Sequence, residues 1–138
     1  MIRKILIGYD DSEPSRKALD MALDMASKYG STLDVIAVVS PPEYLGDKES
    51  QKVLQNSRQA QRNLLQGLKP RVEAAGVTTQ FEIAVGKPGD QLLQHAEREN
   101  TDLIIVGHSG KSFFEALRMG SVSKQVMHDA RCPVLVVR

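Results

Sequence analysis

The chain holds a single cysteine, Cys132, so no internal disulfide can staple the fold. It has almost no net charge: 18 Lys and Arg residues against 17 Asp and Glu leave +1. Sequence-independent binding to nucleic acid or to an anionic membrane therefore has little electrostatic support. No apolar run approaches the ~20 residues needed to cross a bilayer, no short repeat recurs and no segment is of low complexity. Met1-Ile2-Arg3-Lys4 runs straight into an apolar strand, without the apolar core or cleavage site of a secretory leader. The cytoplasm is the expected compartment, with neither nucleic acid nor membrane as a partner.

What is present is one domain's worth of alternating strand and helix patterns. At 138 residues the chain is long enough to bury most of a central sheet under covering helices. Ile5-Leu6-Ile7-Gly8 reads as a first strand, followed by the polar turn Tyr9-Asp10-Asp11-Ser12. The next helix has Pro14 in its first turn, an apolar stripe of Ala18, Leu19, Ala22, Met25 and Ala26, and Gly30 just past its end. Asp11 or Ser12 is suited to cap it. Leu33 to Val39 is a second strand, stopped by Ser40-Pro41-Pro42.

From Asp47 to Ala75 the pattern is helical and polar, with Val53, Ala60, Leu64, Leu68 and Val72 as a narrow apolar stripe and Pro70 expected to kink or interrupt it. Phe81 to Val85 is a third strand, ended by Gly86-Lys87-Pro88-Gly89. A helix from Asp90 to Arg98 follows, then a strand at Leu103-Ile104-Ile105-Val106. A helix from Ser121 to Asp129 and the strand Pro133 to Val137 complete the chain. His95 and His128 fall in helical patterns and read as surface residues, with no spacing that suggests a zinc site. Cys132 reads as a small buried residue.

Strands alternating with helices predict parallel βαβ units with right-handed crossovers, hence a doubly wound, Rossmann-like α/β domain. With five strands in the order 3-2-1-4-5, the switch point lies between the first and fourth strands, where such sheets bind ligands. The loops meeting there are Gly8 to Ser12 and Gly107 to Gly110. The four-residue apolar run before Gly107 reads as a strand buried on both faces. Gly107 and Gly110 let backbone N–H groups approach a polyphosphate and permit positive φ. Gly120-Ser121 then opens the next helix, with Ser121 suited to cap it and the following N–H groups available to an anion. Lys111 is placed to neutralise phosphate.

Gly107, Gly110, Gly120 and Ser121 together spell G-x2-G-x9-G-S. This spacing resembles the ATP-binding motif of the universal stress protein family, and the resemblance extends over essentially the whole chain. It implies ATP as ligand, with ADP or AMP as the competing adenine nucleotides and Mg2+ or Mn2+ carried mainly on the phosphates. The family's β-strand, Asp, variable residue and Ser pattern is matched by Asp10, Asp11 and Ser12. The resemblance places Asp10 on the ribose or base, Gly8 and Tyr9 alongside through their backbone, Val38 on the adenine, and Val106, Val122 and Ser123 around the phosphate segment. Between the first two glycines the usual order of a small hydroxyl residue and a basic or imidazole one is reversed, as His108-Ser109. The family also implies a homodimer zipped through the terminal strand Val134 to Val137, which as an apolar edge needs a cover.

Competing motifs fit less well. Gly110-Lys111-Ser112 suggests a Walker A loop, but the first glycine it requires would stand at Ile105. Gly107-His108-Ser109-Gly110-Lys111 approaches the hydrolase elbow G-x-S-x-G, whose last glycine is replaced by Lys111. Acyl transfer would need Ser109 as nucleophile and His95 or His128 as base. The function expected is a nucleotide-dependent stress-response switch with at most slow ATP hydrolysis and no assigned catalytic residue, acting through an unidentified protein partner. The alternatives are a hydrolase or a nucleotidyl- or phosphoryl-transfer enzyme on the same fold, or a non-catalytic module that binds AMP.

Overall fold

A computed structural model describes residues 1–41, 46–108 and 120–138. In chain order the elements are β1 (Lys4–Gly8), α1 (Glu13–Tyr29), β2 (Thr32–Val39), α2 (Asp47–Gln66), α3 (Lys69–Ala74), β3 (Thr79–Val85), α4 (Pro88–Arg98), β4 (Leu103–Gly107), α5 (Ser121–Asp129) and β5 (Val134–Val137). All strand pairings are parallel, and the sheet order is β3-β2-β1-β4-β5. The expected order is therefore the observed one. The crossovers on either side of β1 leave in opposite directions, which opens a crevice between β1 and β4 at their carboxyl ends.

Alternation along each strand divides the interior into two cores. Ile5, Ile7, Leu33, Val35, Leu103 and Ile105 face α1 and the α2–α3 turn, where Leu19, Ala22, Leu65 and Val72 meet them. Leu6, Ile36, Ile104 and Val106 face α4 and α5, against Leu92, Ala96 and Val126. Ser12 caps α1, its hydroxyl accepting from the Ser15 N–H at 3.3 Å, and Gly30 ends the helix in the left-handed conformation at φ 68°. Between the two cap candidates, Ser12 takes the role. Asp11 instead adopts φ 64°, a left-handed position that Asp tolerates better than most residues.

The polar segment is interrupted as expected: it is two helices, broken at Gly67 and Leu68, because Pro70 has no N–H to return to the carbonyl of Gln66. Three expectations need correction. The expected stripe is buried only at Leu68 and Val72; Leu64 is half-buried, and Val53 and Ala60 are exposed. The helix expected from Asp90 starts at Pro88, where a proline in the first turn costs no hydrogen bond. His95 is buried, not superficial: its Nε2–H donates to Asp34 Oδ2 at 2.8 Å, and its Nδ1 lies 2.8 Å from Glu82 Oε2. Residue 95 falls on the inner stripe of α4 with Leu92 and Ala96, and Asp34 and Glu82 from β2 and β3 supply the polar partners that burial requires. His128 is exposed as expected, and Cys132 is half-buried against the second core.

Candidate functional site

The crevice between β1 and β4 is a cleft with three kinds of wall. On the β2 side Ile36 and Val38 face Pro88 and Leu92 of α4, forming an apolar slot. On the β4 side lie Val106 and Gly107, with Gly120, Val122 and Ser123 at the start of α5. Between them runs the β1–α1 loop, contributing Gly8, Tyr9, Asp10 and Ser12, with Ser15 behind it. The cleft encloses about 140 Å³.

The loop is held from within. Tyr9 N–H donates to the Ile36 carbonyl at 2.9 Å, so the backbone crosses the sheet at a fixed height. Asp10 Oδ1 accepts from the Ser12 N–H at 2.9 Å, closing an Asx turn that directs the carboxylate along the cleft wall. Ser15 is 5% exposed; its hydroxyl donates to the Ser12 carbonyl at 2.9 Å and accepts from the Asp10 N–H at 3.4 Å. Tyr9 packs in the first core and donates its hydroxyl to Asp11 Oδ1 at 3.1 Å, an oxygen that also accepts from Arg16 Nε at 3.0 Å. Burial pushes the Tyr9 phenol above its ordinary pKa, and the Asp11 carboxylate adds to the rise.

On the other side, the end of β4 is stitched to the start of α5. Gly120 N–H donates to the His108 carbonyl at 2.8 Å, and the Ser123 hydroxyl donates to the Gly107 carbonyl at 2.6 Å and the His108 carbonyl at 3.1 Å. Gly120, not Ser121, is the N-cap, and among the described residues no side chain caps α5. The first intrahelical bond runs from Lys124 N–H to the Gly120 carbonyl, so the N–H groups of Ser121, Val122 and Ser123 have no partner within the helix. They give the cleft a positive end.

Gly107 serves packing rather than backbone freedom. A Cβ there would lie 2.6 Å from Pro14 Cβ and 2.8 Å from the Pro14 carbonyl carbon, so only glycine lets the first turn of α1 reach β4. Gly107 is not at positive φ, and Gly120 has φ −70°. At Gly107 the expected left-handed turn is replaced by a need for space.

Of the residues expected at the site, Gly8, Tyr9, Asp10, Ser12, Val38, Val106, Gly107, Gly120, Val122 and Ser123 line one cleft. Ser121 is exposed beside it in the first turn of α5. Gly110 and Lys111 lie outside the described residues, as does Ser109. The sequence reading missed Ser15, Ile36, Pro88 and Leu92. Ser15 carried a readable signal, since a serine three residues after the cap Ser12 faces back toward the loop. Leu92 and Pro88 required knowing that α4 begins two residues early. Neither histidine proposed as a base serves the cleft: His95 is committed to Asp34 and Glu82, and His128 sits in the last turn of α5, away from its N-terminus.

Compared with known proteins, residues 1–138 match the model of the universal stress protein family. A universal stress protein of Thermus aquaticus is 34% identical over 143 residues, with all of both chains covered. The universal stress protein UspA from Lactobacillus plantarum superposes with a TM-score of 0.92 at 22% identity, covering 99% of this chain and 98% of that one. A universal stress protein in complex with cAMP has a TM-score of 0.76 at 24% identity, covering 99% and 97%. One from Archaeoglobus fulgidus in complex with dAMP has a TM-score of 0.70 at 20% identity, covering all of both chains. These structural likenesses establish a shared fold.

Proposed function

We propose, from the premise that this chain belongs to the universal stress protein family, that it is an ATP-binding regulator of the stress response. The observation that carries the reading is the cleft itself. An apolar slot of Ile36, Val38, Pro88 and Leu92 suits a flat base, and the uncapped start of α5 opposite suits phosphate. Asp10 lines the same cleft, on the β1–α1 loop. That two relatives of the same fold are described with cAMP and dAMP supports an adenine nucleotide as the ligand class. ATP rather than ADP or AMP is supported by the G-x2-G-x9-G-S spacing.

The residues present suit a metal carried by the nucleotide. Among the described residues no group of three or more His, Cys, Asp or Glu side chains could hold an ion. Asp10 already accepts one backbone bond, and Asp11 is engaged by Tyr9 and Arg16. Bound Mg2+ or Mn2+ would shield phosphate charge, with Asp10 adding at most one oxygen to a shell made mainly by the phosphates. Held this way, the nucleotide is a signal rather than a substrate, and turnover is slow. The family reading also makes the chain a single nucleotide-binding domain over residues 1–138, cytoplasmic, and a homodimer through β5 that passes the nucleotide state to a protein partner.

Gly120→Leu tests the phosphate assignment, because it fills the cleft wall at the N-cap of α5. Ser121→Asp is its companion: a carboxylate in the first turn favours the helix but repels an anion at its end. Both are expected to lower ATP affinity at least about tenfold by calorimetry, a change of about 1.4 kcal/mol. Folding of Ser121→Asp is expected to be unimpaired. Unchanged affinity in a folded Ser121→Asp protein overturns the assignment.

A further inference from the structure

On the face of the sheet opposite the cleft, a groove runs between α2 and β3. Its floor is Phe81 and Ile83, half-buried against the first core, and its rim is Arg58, Arg62 and Lys69, with Leu65 between them. The groove holds about 470 Å³, more than three times the space of the nucleotide cleft. Spacings of four, three and four residues along 58, 62, 65 and 69 bring these side chains to one face of the helix and its continuation. Among the described residues none of the three cations pairs with a carboxylate; Arg62 reaches only the Gln59 side chain, at 3.3 Å. The acidic residues of α2, Asp47 and Glu49, are confined to its first turn.

The second observation is the strand beneath. β3 is the outermost strand of the sheet, and among the described residues it pairs on one side only, with β2. Glu82 turns to the opposite face, where it meets His95, so no charge on the groove side guards the edge. Proline is lacking from Thr79 to Val85, and the seven residues pair with β2 in unbroken register, without a bulge. An apolar floor, a free row of backbone donors and acceptors and a basic rim define the complementary ligand in three respects: it is extended, partly apolar and acidic.

We infer that this groove docks an acidic, extended segment of a partner protein, which adds as a strand to the free edge of β3. Its apolar side chains rest on Phe81 and Ile83, and its carboxylates meet Arg58, Arg62 and Lys69. The site is independent of the nucleotide cleft, which lies on the α4–α5 face.

The test uses a fluorescein-labelled peptide of alternating valine and glutamate, its valine–lysine counterpart, and a copy of the first N-methylated at alternate residues. Fluorescence anisotropy is expected to show saturable binding of the glutamate peptide alone, weakened by salt. The double variant Arg58→Glu, Arg62→Glu, its fold checked by circular dichroism, is expected to lose at least about tenfold in affinity. Binding that survives the charge reversal overturns the basic rim, and binding that survives N-methylation overturns strand addition. No binding at millimolar peptide overturns the site altogether.

Discussion

The hydroxyl of Ser123 donates to the carbonyl of Gly107 at 2.6 Å, across 16 residues of chain. Through this bond the last residue of β4 fixes where α5 begins, and so where the N–H groups without an intrahelical partner face. Ser123 is only 2% exposed, so its hydroxyl is needed by the protein rather than by solvent.

Ser123→Ala is therefore expected to leave the Gly107 carbonyl without its partner in a nearly closed site. The cost is about 1–3 kcal/mol of stability, read by urea unfolding. ATP affinity should fall as well, since the start of α5 loses its anchor. A variant as stable as the parent, with unchanged affinity, would show that the Gly120 to His108 backbone bond alone positions the helix.

Asp102 gives a pH dependence with a definite sign. The backbone N–H groups of Arg3 and Lys4 donate to its Oδ2 at 2.9 and 3.0 Å, and these bonds hold its carboxyl below the ordinary carboxylate pKa. A depressed folded-state pKa adds stability above the unfolded-state value, near 3.9, and that stability is lost as pH falls through the folded-state value. Asp102→Asn is expected to be less stable than the parent at pH 7, the difference closing below about pH 4. Denaturation curves at several pH values check this; a gap that stays constant down to pH 2 contradicts it.

The proposed dimer can be broken at a chosen atom. Ile104 N–H donates to the Pro133 carbonyl and His108 N–H to the Val137 carbonyl, so alternate residues 133, 135 and 137 face β4. The backbone of Val134 and Val136 faces the free edge. Val136→Pro removes an outward N–H and spares the β4 ladder. Light scattering at micromolar concentration is expected to give a dimer for the parent and a monomer for the variant, with matching circular dichroism. A monomeric parent removes β5 as the interface.

Much of this molecule is legible because its strands are short apolar runs bounded by glycine or proline. Ile5 to Gly8 and Leu103 to Gly107 announce buried strands, and their parallel pairing follows from the alternation of strand and helix. Less legible is whatever depends on a partner distant in sequence. His95 sits in a pattern polar enough to read as surface, and only the approach of Asp34, 61 residues earlier, makes its burial tolerable. Gly107 looks like a phosphate glycine, yet Pro14 is what excludes a side chain there. The stripe through Val53 and Ala60 has helical spacing, but spacing alone does not reveal that both are exposed.

The central claim is that the cleft between β1 and β4 holds ATP. Its most direct test is to purify the protein without added nucleotide, denature it, identify any released small molecule by mass spectrometry, and titrate ATP, ADP and AMP calorimetrically with and without Mg2+. The account predicts recovered ATP or clear selectivity for it, with affinity reduced in Ser121→Asp. Absence of any released adenine compound, together with no heat of binding at millimolar nucleotide, would contradict it.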